Sequence, residues 1–175
     1  MKEIEVKILN VSHIKLEQKL FELGAKKIFD GELYAIFFDT PDKKIKKTGG
    51  TLRLRKEGNK TIITHKQKIL DKDVKIREEN EVEVFGFEQM KKIFLALGFE
   101  EVDIIRKKRV SYKIQNVKFE FDTFLDQYGY VPEFMEIEAK SADEIYKYAE
   151  LLRFKKEDCK PWTAKDISEY YLNNN

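Results

Sequence analysis

Charges of like sign recur at every second position in one segment after another, and this pattern constrains the fold more than any other feature. Near the start, Glu3, Glu5 and Lys7 are interleaved with Ile4, Val6 and Ile8. Arg53 and Arg55 alternate with Leu52 and Leu54, and Lys66 and Lys68 with His65 and Gln67. Arg77, Glu79, Glu81 and Glu83 oppose Ile76, Val82 and Val84, while Lys107 and Arg109 share one parity. Glu120 and Asp122 oppose Phe119 and Phe121, and Glu136 and Glu138 oppose Met135, Ile137 and Ala139. A period of two is the period of a β-strand, so each set projects from one side of its strand.

Two arrangements accommodate such strands. One is an open antiparallel sheet with its polar face in water. Such a face would hold Ser, Thr, Asn and Gln freely, whereas here acids and bases dominate in a chain of which 38% is charged. Like charges two residues apart on one face lie about 7 Å from each other and repel mildly, so each block calls for an opposite partner. The other arrangement is a sheet closed on itself, which places acids and bases in one interior. Paired carboxylates suit hard cations such as Mg²⁺ or Mn²⁺, and paired Arg and Lys suit phosphate oxygens. Together they would surround a polyanion carrying metal ions, as a triphosphate does.

The remaining pattern fills in the fold. Val11, Ile14, Leu16, Leu20 and Leu23 follow helical spacing, with Ser12 as cap and Gly24 as stop. Residues 33–38 read as a buried strand ending at the turn Asp39-Thr40-Pro41-Asp42, and 51–57 with 61–68 as a hairpin. Strands follow at 74–84, 103–114, 117–125 and 133–140, and helices at 87–97, 142–153 and 164–172. Eight strands and four helices in meandering order predict an α+β fold: an eight-stranded antiparallel, closed or nearly closed β-barrel with helices packed outside.

With 34 Lys and Arg against 32 Asp and Glu, the net charge of +2 gives no reason to expect a nucleic-acid or membrane partner. Cys159 is the only cysteine, and no long apolar run occurs, so a reducing, cytoplasmic location is expected. His13 on a helix and His65 on the opposite face of its strand read as structural or exposed. The lysines of 43–47 read as a solvated turn that could also draw anions inward, and Trp162 as a pin for the last helix.

Several of these stretches also match a family in order along nearly the whole chain. Glu3-Ile4-Glu5-Val6-Lys7 resembles the ExExK signature of the CYTH superfamily, the triphosphate tunnel metalloenzymes. Phe37-Phe38-Asp39-Thr40-Pro41-Asp42, followed by Gly50-Thr51-Leu52-Arg53-Leu54-Arg55, is similar to the family's aromatic-Asp-Thr-Pro stretch leading into Leu-Arg-x-Arg. Lys66, the Arg77-Glu79-Glu81 alternation, Lys107-Lys108-Arg109, Asp122 and Phe134-Met135-Glu136-Ile137-Glu138 fit its later motifs. The C-terminal Pro161-Trp162-Thr163-Ala164-Lys165-Asp166 departs from the basic residue and Ser-Tyr of many relatives; Lys165 would be the corresponding base.

The resemblance implies one CYTH-like domain over residues 1–175, a Mg²⁺ or Mn²⁺ cofactor and a small-molecule triphosphate substrate; the assembly is left open, a homodimer included. Lys7, Arg53, Arg55, Lys66, Arg77, Lys107, Arg109 and Lys165 would hold phosphates. Glu3, Glu5, Asp122, Glu136 and Glu138 would bind metal, with Glu3, Glu5, Lys7 and Glu136 closest to the chemistry and Glu79, Glu81 and Glu120 as supporting acids. The expected reaction is that of a class IV adenylate cyclase, ATP to cyclic AMP and pyrophosphate. Hydrolysis of inorganic triphosphate, thiamine triphosphate or a nucleoside triphosphate is the first alternative, and non-catalytic polyphosphate binding the second.

Overall fold

The computed structural model describes residues 2–69 and 75–174, and the side chains of all of these except Lys2, Glu3, Ile69, Lys75, Ile76 and Arg77. Eight strands form a closed antiparallel ring: β1 (Lys2–Ile8), β2 (Lys26–Asp39), β3 (Gly50–Glu57), β4 (Lys60–Ile69), β5 (Lys75–Val84), β6 (Glu100–Ile114), β7 (Val117–Phe124) and β8 (Phe134–Ala139). Their order around the ring is β1-β5-β4-β3-β2-β6-β7-β8, and β8 closes on β1 with Lys7 opposite Glu136 and Glu5 opposite Glu138. The expected strand starting at residue 74 begins there outside the described residues. Strand β2 extends well beyond the expected 33–38, because its N-terminal half pairs with β6 from Lys26 onward. No periodicity marks that half.

Closure divides every strand between two environments. Outside, α1 (His13–Glu22) and α4 (Ala142–Leu151) cover β1, β6, β7 and β8, burying Val6, Ile8, Tyr112, Phe119, Phe121 and Ile137. Helix α3 (Phe87–Ala96) covers β2 and β3, where Phe94 packs on Ile36, Phe38 and Leu54. The odd positions of β3 and the even positions of β7 therefore point inward, and their leucines and phenylalanines supply the outer core. The lysine segment expected as a turn contains a one-turn helix, α2 (Lys44–Lys47). The buried Asp39 carboxylate anchors it by accepting from the backbone N–H of Thr40 (2.8 Å), Ile45 (2.9 Å) and Lys46 (3.0 Å). The last helix, α5 (Ala164–Asn174), packs over Phe124 and Phe134 at the same end of the barrel as α2.

Local caps partly follow the sequence. Gly24, at φ +90°, ends α1 in the left-handed region, and the next N–H, that of Ala25, reaches back to Leu20 at 2.9 Å. Ser12 holds the N-cap position but makes no side-chain cap bond. Glu133 replaces it, accepting from the His13 N–H at 2.9 Å and from His13 Nδ1 at 2.6 Å. A partner 120 residues away leaves no trace in a local capping pattern. No helix among the described residues is long and apolar enough to cross a membrane.

Candidate active site

The barrel encloses a cavity of about 1020 Å³. Seven strands turn charge into it: Glu5 and Lys7 from β1, Arg53 and Arg55 from β3, Lys66 and Lys68 from β4, Glu79 and Glu81 from β5, Lys107 and Arg109 from β6, Lys118 and Glu120 from β7, and Glu136 and Glu138 from β8. Glu3 and Arg77 occupy mutually paired positions on β1 and β5, but their side chains lie outside the described ones. Lys165 reaches only the rim, largely exposed and paired with Glu169 at 3.0 Å.

The floor of the cavity is a buried ionic knot. Arg109 Nε donates to Asp122 Oδ1 at 2.6 Å and Nη2 to Oδ2 at 2.5 Å. Its other contacts are to Glu120 and, at 3.1 Å, to Glu136. Lys107 Nζ adds a contact to Asp122 Oδ2 at 2.5 Å. Asp122, expected as a metal ligand, is wholly buried beneath the lining with both oxygens engaged by bases. Burial would lower the Arg109 pKa, but Asp122 and Glu120 drive it well above the ordinary guanidinium value. Burial would likewise raise Glu120, yet Arg109 and Lys118 hold it down to about 2. Lys118 is the base that sequence reasoning missed, although it shares the parity of Glu120; Glu120 and Glu138 raise its pKa against the effect of burial.

Above the knot the carboxylates crowd one another. Glu5 lies opposite Glu138 in the β1–β8 register, and Glu120 opposite Glu136 in the β7–β8 register. Directly opposed like charges repel, and lysines moderate them: Lys7 touches Glu5 at 3.1 Å and Glu136 at 2.5 Å, and Lys118 touches Glu120 at 2.8 Å and Glu138 at 3.6 Å. Among the described residues no cluster of three acids, histidines or cysteines is already gathered around one point. The set is nonetheless all oxygen and contains opposed carboxylates, which is the donor chemistry a hard divalent cation takes. It fits such an ion if Lys7 swings away.

The far wall is basic. Arg53 Nη2 donates to Thr64 Oγ1 at 3.2 Å, and that hydroxyl donates to Glu81 at 3.0 Å. Arg55 pairs with Glu57 at 3.1 Å and Glu81 at 3.7 Å, and Lys66 with Glu79 at 3.3 Å. Arg53 Nε and Arg55 Nε are buried and find no partner among the described residues. Burial, together with the like charges of Arg55 and Arg109, lowers Arg53 to about 10, still cationic at neutral pH. Thr64 was not foreseen, because a threonine between charged positions gives no signal in a parity pattern.

Lys107 offers a pH test. Burial, aided by the positive charge of Arg109, lowers its pKa to about 8, outweighing Asp122. An ammonium depressed in this way costs the folded state stability below pH 8, and the cost disappears as the group deprotonates. A polyanion in the cavity favours the ammonium and raises the pKa, so binding takes up a proton above pH 8 and affinity falls as pH rises through that value. Calorimetric titration with tripolyphosphate at pH 8.5 in buffers of different protonation enthalpy measures the uptake. Lys107→Met is expected to lose it, and equal uptake by the variant would clear Lys107 of the effect.

The comparisons with known proteins agree with this geometry. The CYTH domain family matches residues 1–171. A Methanocaldococcus jannaschii protein named "Putative adenylate cyclase" is 36% identical over 122 residues, covering 70% of each chain. The solved structure of the PH1012 protein from Pyrococcus horikoshii superposes with a TM-score of 0.78 at 31% identity, over 94% of this chain and 98% of that one. The Hippeastrum protein HpAC1, described as a "putative adenylyl cyclase" with a dominant triphosphatase activity, superposes with a TM-score of 0.70 over 97% and 95% of the two chains. At 16% identity it speaks for the fold alone.

Proposed function

The chain belongs to the CYTH domain family, and from that membership we propose that its barrel grips the triphosphate tail of a small molecule and cleaves it with the help of Mg²⁺ or Mn²⁺. The observation that carries this reading is the pair of buried, unpartnered Nε atoms on Arg53 and Arg55, two residues whose side chains line the cavity. Buried N–H groups without acceptors are costly, and a phosphate oxygen supplies the acceptor. Lys7, Lys66, Lys107 and Arg109 line the same space and complete a basic cradle, with Lys165 at its rim; Arg77 joins the set on its place in the family motif alone.

Glu5, Glu136 and Glu138, together with Glu3, would hold the cation, while Asp122 is assigned to orienting Arg109 and Lys107. When bound, the metal supplies charge neutralisation on the phosphates and a lower pKa for a coordinated water or hydroxyl. The protein's own part is positioning: arginines on two walls fix the chain of phosphates, and the salt-bridged floor keeps Arg109 and Lys107 aimed without reorganisation. Lys7 is free to exchange its two glutamates for a phosphate oxygen as they take up the cation.

Cyclisation of ATP is the leading reaction: the ribose 3′-oxygen attacks the α-phosphorus, the bond to the β-phosphate oxygen breaks, and pyrophosphate leaves. The relative named as an adenylate cyclase supports this choice. Hydrolysis is the second reading, since the same cradle serves a water attacking a phosphorus of the tail. Incubation with ATP or tripolyphosphate plus Mg²⁺ or Mn²⁺, with products separated by chromatography, decides between them. Cyclic AMP with pyrophosphate is expected, orthophosphate would replace it with the hydrolytic reading, and unchanged substrate would leave a binding protein.

A further inference from the structure

The lysines of the α2 segment fall into two rows. Lys43 and Lys46 line the cavity, and Lys44 and Lys47 do not. The second pair lies toward Asp42, whose carboxyl the Thr40 hydroxyl, and then Lys47 and Lys44, hold below its usual value. Residues three apart share one side of a helical turn, so each pair forms a row. Exposed yet lining the cavity, Lys43 and Lys46 stand at its mouth, and so does Lys68. A Cβ added at Gly49 would lie 3.4 Å from that of Lys68, and Gln67 Nε2 donates to the Thr48 carbonyl, so the end of β4 and the α2 segment adjoin. Every other lysine of the lining touches a carboxylate: Lys7, Lys66, Lys107, Lys118 and Lys165. No salt bridge engages Lys43, Lys46 or Lys68 among the described residues.

This segment is pinned. Lys43 has φ +56°, a left-handed conformation unfavourable to a residue with a side chain, which persists only where the surroundings impose it. The Asp39 carboxylate imposes it: Oδ1 accepts from the N–H of Thr40 and Ile45, and Oδ2 from that of Lys46. The Thr40 hydroxyl adds a bond from the Lys44 N–H at 3.0 Å. Burial would raise the Asp39 carboxyl, yet these donors hold it below the usual value, so the pin is ionised at neutral pH.

We propose that α2 is an anion-capture arm and that Asp39 is its positioning residue, fixing Lys43 and Lys46 over the barrel mouth beside Lys68, where their uncompensated charge draws the triphosphate tail inward. Like charges gathered at the opening of a cleft focus the field and raise the local concentration of a polyanion. Acids paired with these lysines, as they are deeper in the barrel, would cancel that field. Its reach is a Debye length, about 10 Å at 0.1 M salt, so the side of the helix that carries the charge matters.

The arm presupposes the triphosphate reading above, and its test separates the two. Calorimetric Kd for tripolyphosphate with Mg²⁺ is measured at about 0.1 M and about 0.5 M NaCl. Lys43→Gln with Lys46→Gln is expected to weaken binding about tenfold at the lower salt and little at the higher. Lys44→Gln with Lys47→Gln removes the same charge from the other row and is expected to cost about twofold or less. Asp39→Asn keeps both capture lysines and an acceptor for Thr40 and Ile45, but turns an N–H toward that of Lys46. It also removes a negative charge from the lining, which alone would tighten anion binding; weaker, salt-dependent binding is expected instead and marks lost positioning. If Asp39→Asn unfolds, the two double variants still decide. Equal effects of the two doubles, or Asp39→Asn binding as tightly as the unaltered chain or tighter, overturns the arm and leaves the triphosphate reading standing. No tripolyphosphate binding by the unaltered chain overturns both.

Discussion

Replacing Arg109 by methionine is expected to destabilise the protein by about 3–5 kcal/mol, the scale for breaking a buried ion pair by removing one partner. Arg109 is 7% exposed and Asp122 is not exposed at all, so Asp122 cannot turn to water when the guanidinium is gone and keeps Lys107 alone, while Glu120, on the cavity lining, keeps Lys118. For a chain of this length the loss corresponds to a fall in Tm of roughly 6–20 °C, readable by differential scanning calorimetry. Adding Asp122→Asn to the Arg109→Met chain is expected to restore part of it, because the amide carries no charge to desolvate. Acid acts in opposite senses on the two chains. In the unaltered protein Glu120, held near 2 against an ordinary 4.5, contributes stability above pH 4.5 that is lost as pH falls toward 2. Once Arg109 is removed, protonating the stranded carboxylates relieves the defect, so the penalty shrinks in the same window. A Tm unchanged by Arg109→Met would show that the knot is not a structural element.

Glu5→Gln and Glu136→Gln are each expected to cut turnover by at least about a hundredfold, the scale for removing one preorganised electrostatic group from a reacting centre. The amide keeps the shape and some hydrogen bonding but cannot neutralise a divalent cation. Tripolyphosphate binding without metal is expected to persist, because both substitutions free Lys7 from an acidic partner. Rates measured across a Mg²⁺ or Mn²⁺ titration, with circular dichroism to check the fold, test the assignment. Unaltered rates in both variants would remove these glutamates from the metal site.

Much of the barrel was legible because its signal is local. Alternation assigns a face to each residue of a strand from its neighbours alone, and Arg53, Arg55, Lys66, Lys107, Arg109, Glu136 and Glu138 all turn inward as their parity requires. Residues 33–38, read as a buried strand, form the part of β2 whose Leu33, Ala35 and Phe37 interrupt the charged ring before Asp39. Parity does not say how deep a residue lies or whom it meets. Asp122 and Glu138 look alike in sequence, each an inward acid on its strand, yet one is sealed beneath two bases and the other lines the open cavity.

The difference is one of range. Alternating charge, like-signed blocks and the apolar outer faces are set by side-chain geometry within a strand, so the chain itself dictated an antiparallel barrel with an ionic interior. The stagger by which β7 meets β6 and β8, and β1 closes on β8, depends on packing summed over the whole ring. That stagger decided which acid faces which base, made Glu133 rather than Ser12 the cap of α1, and left two arginine nitrogens waiting for an acceptor.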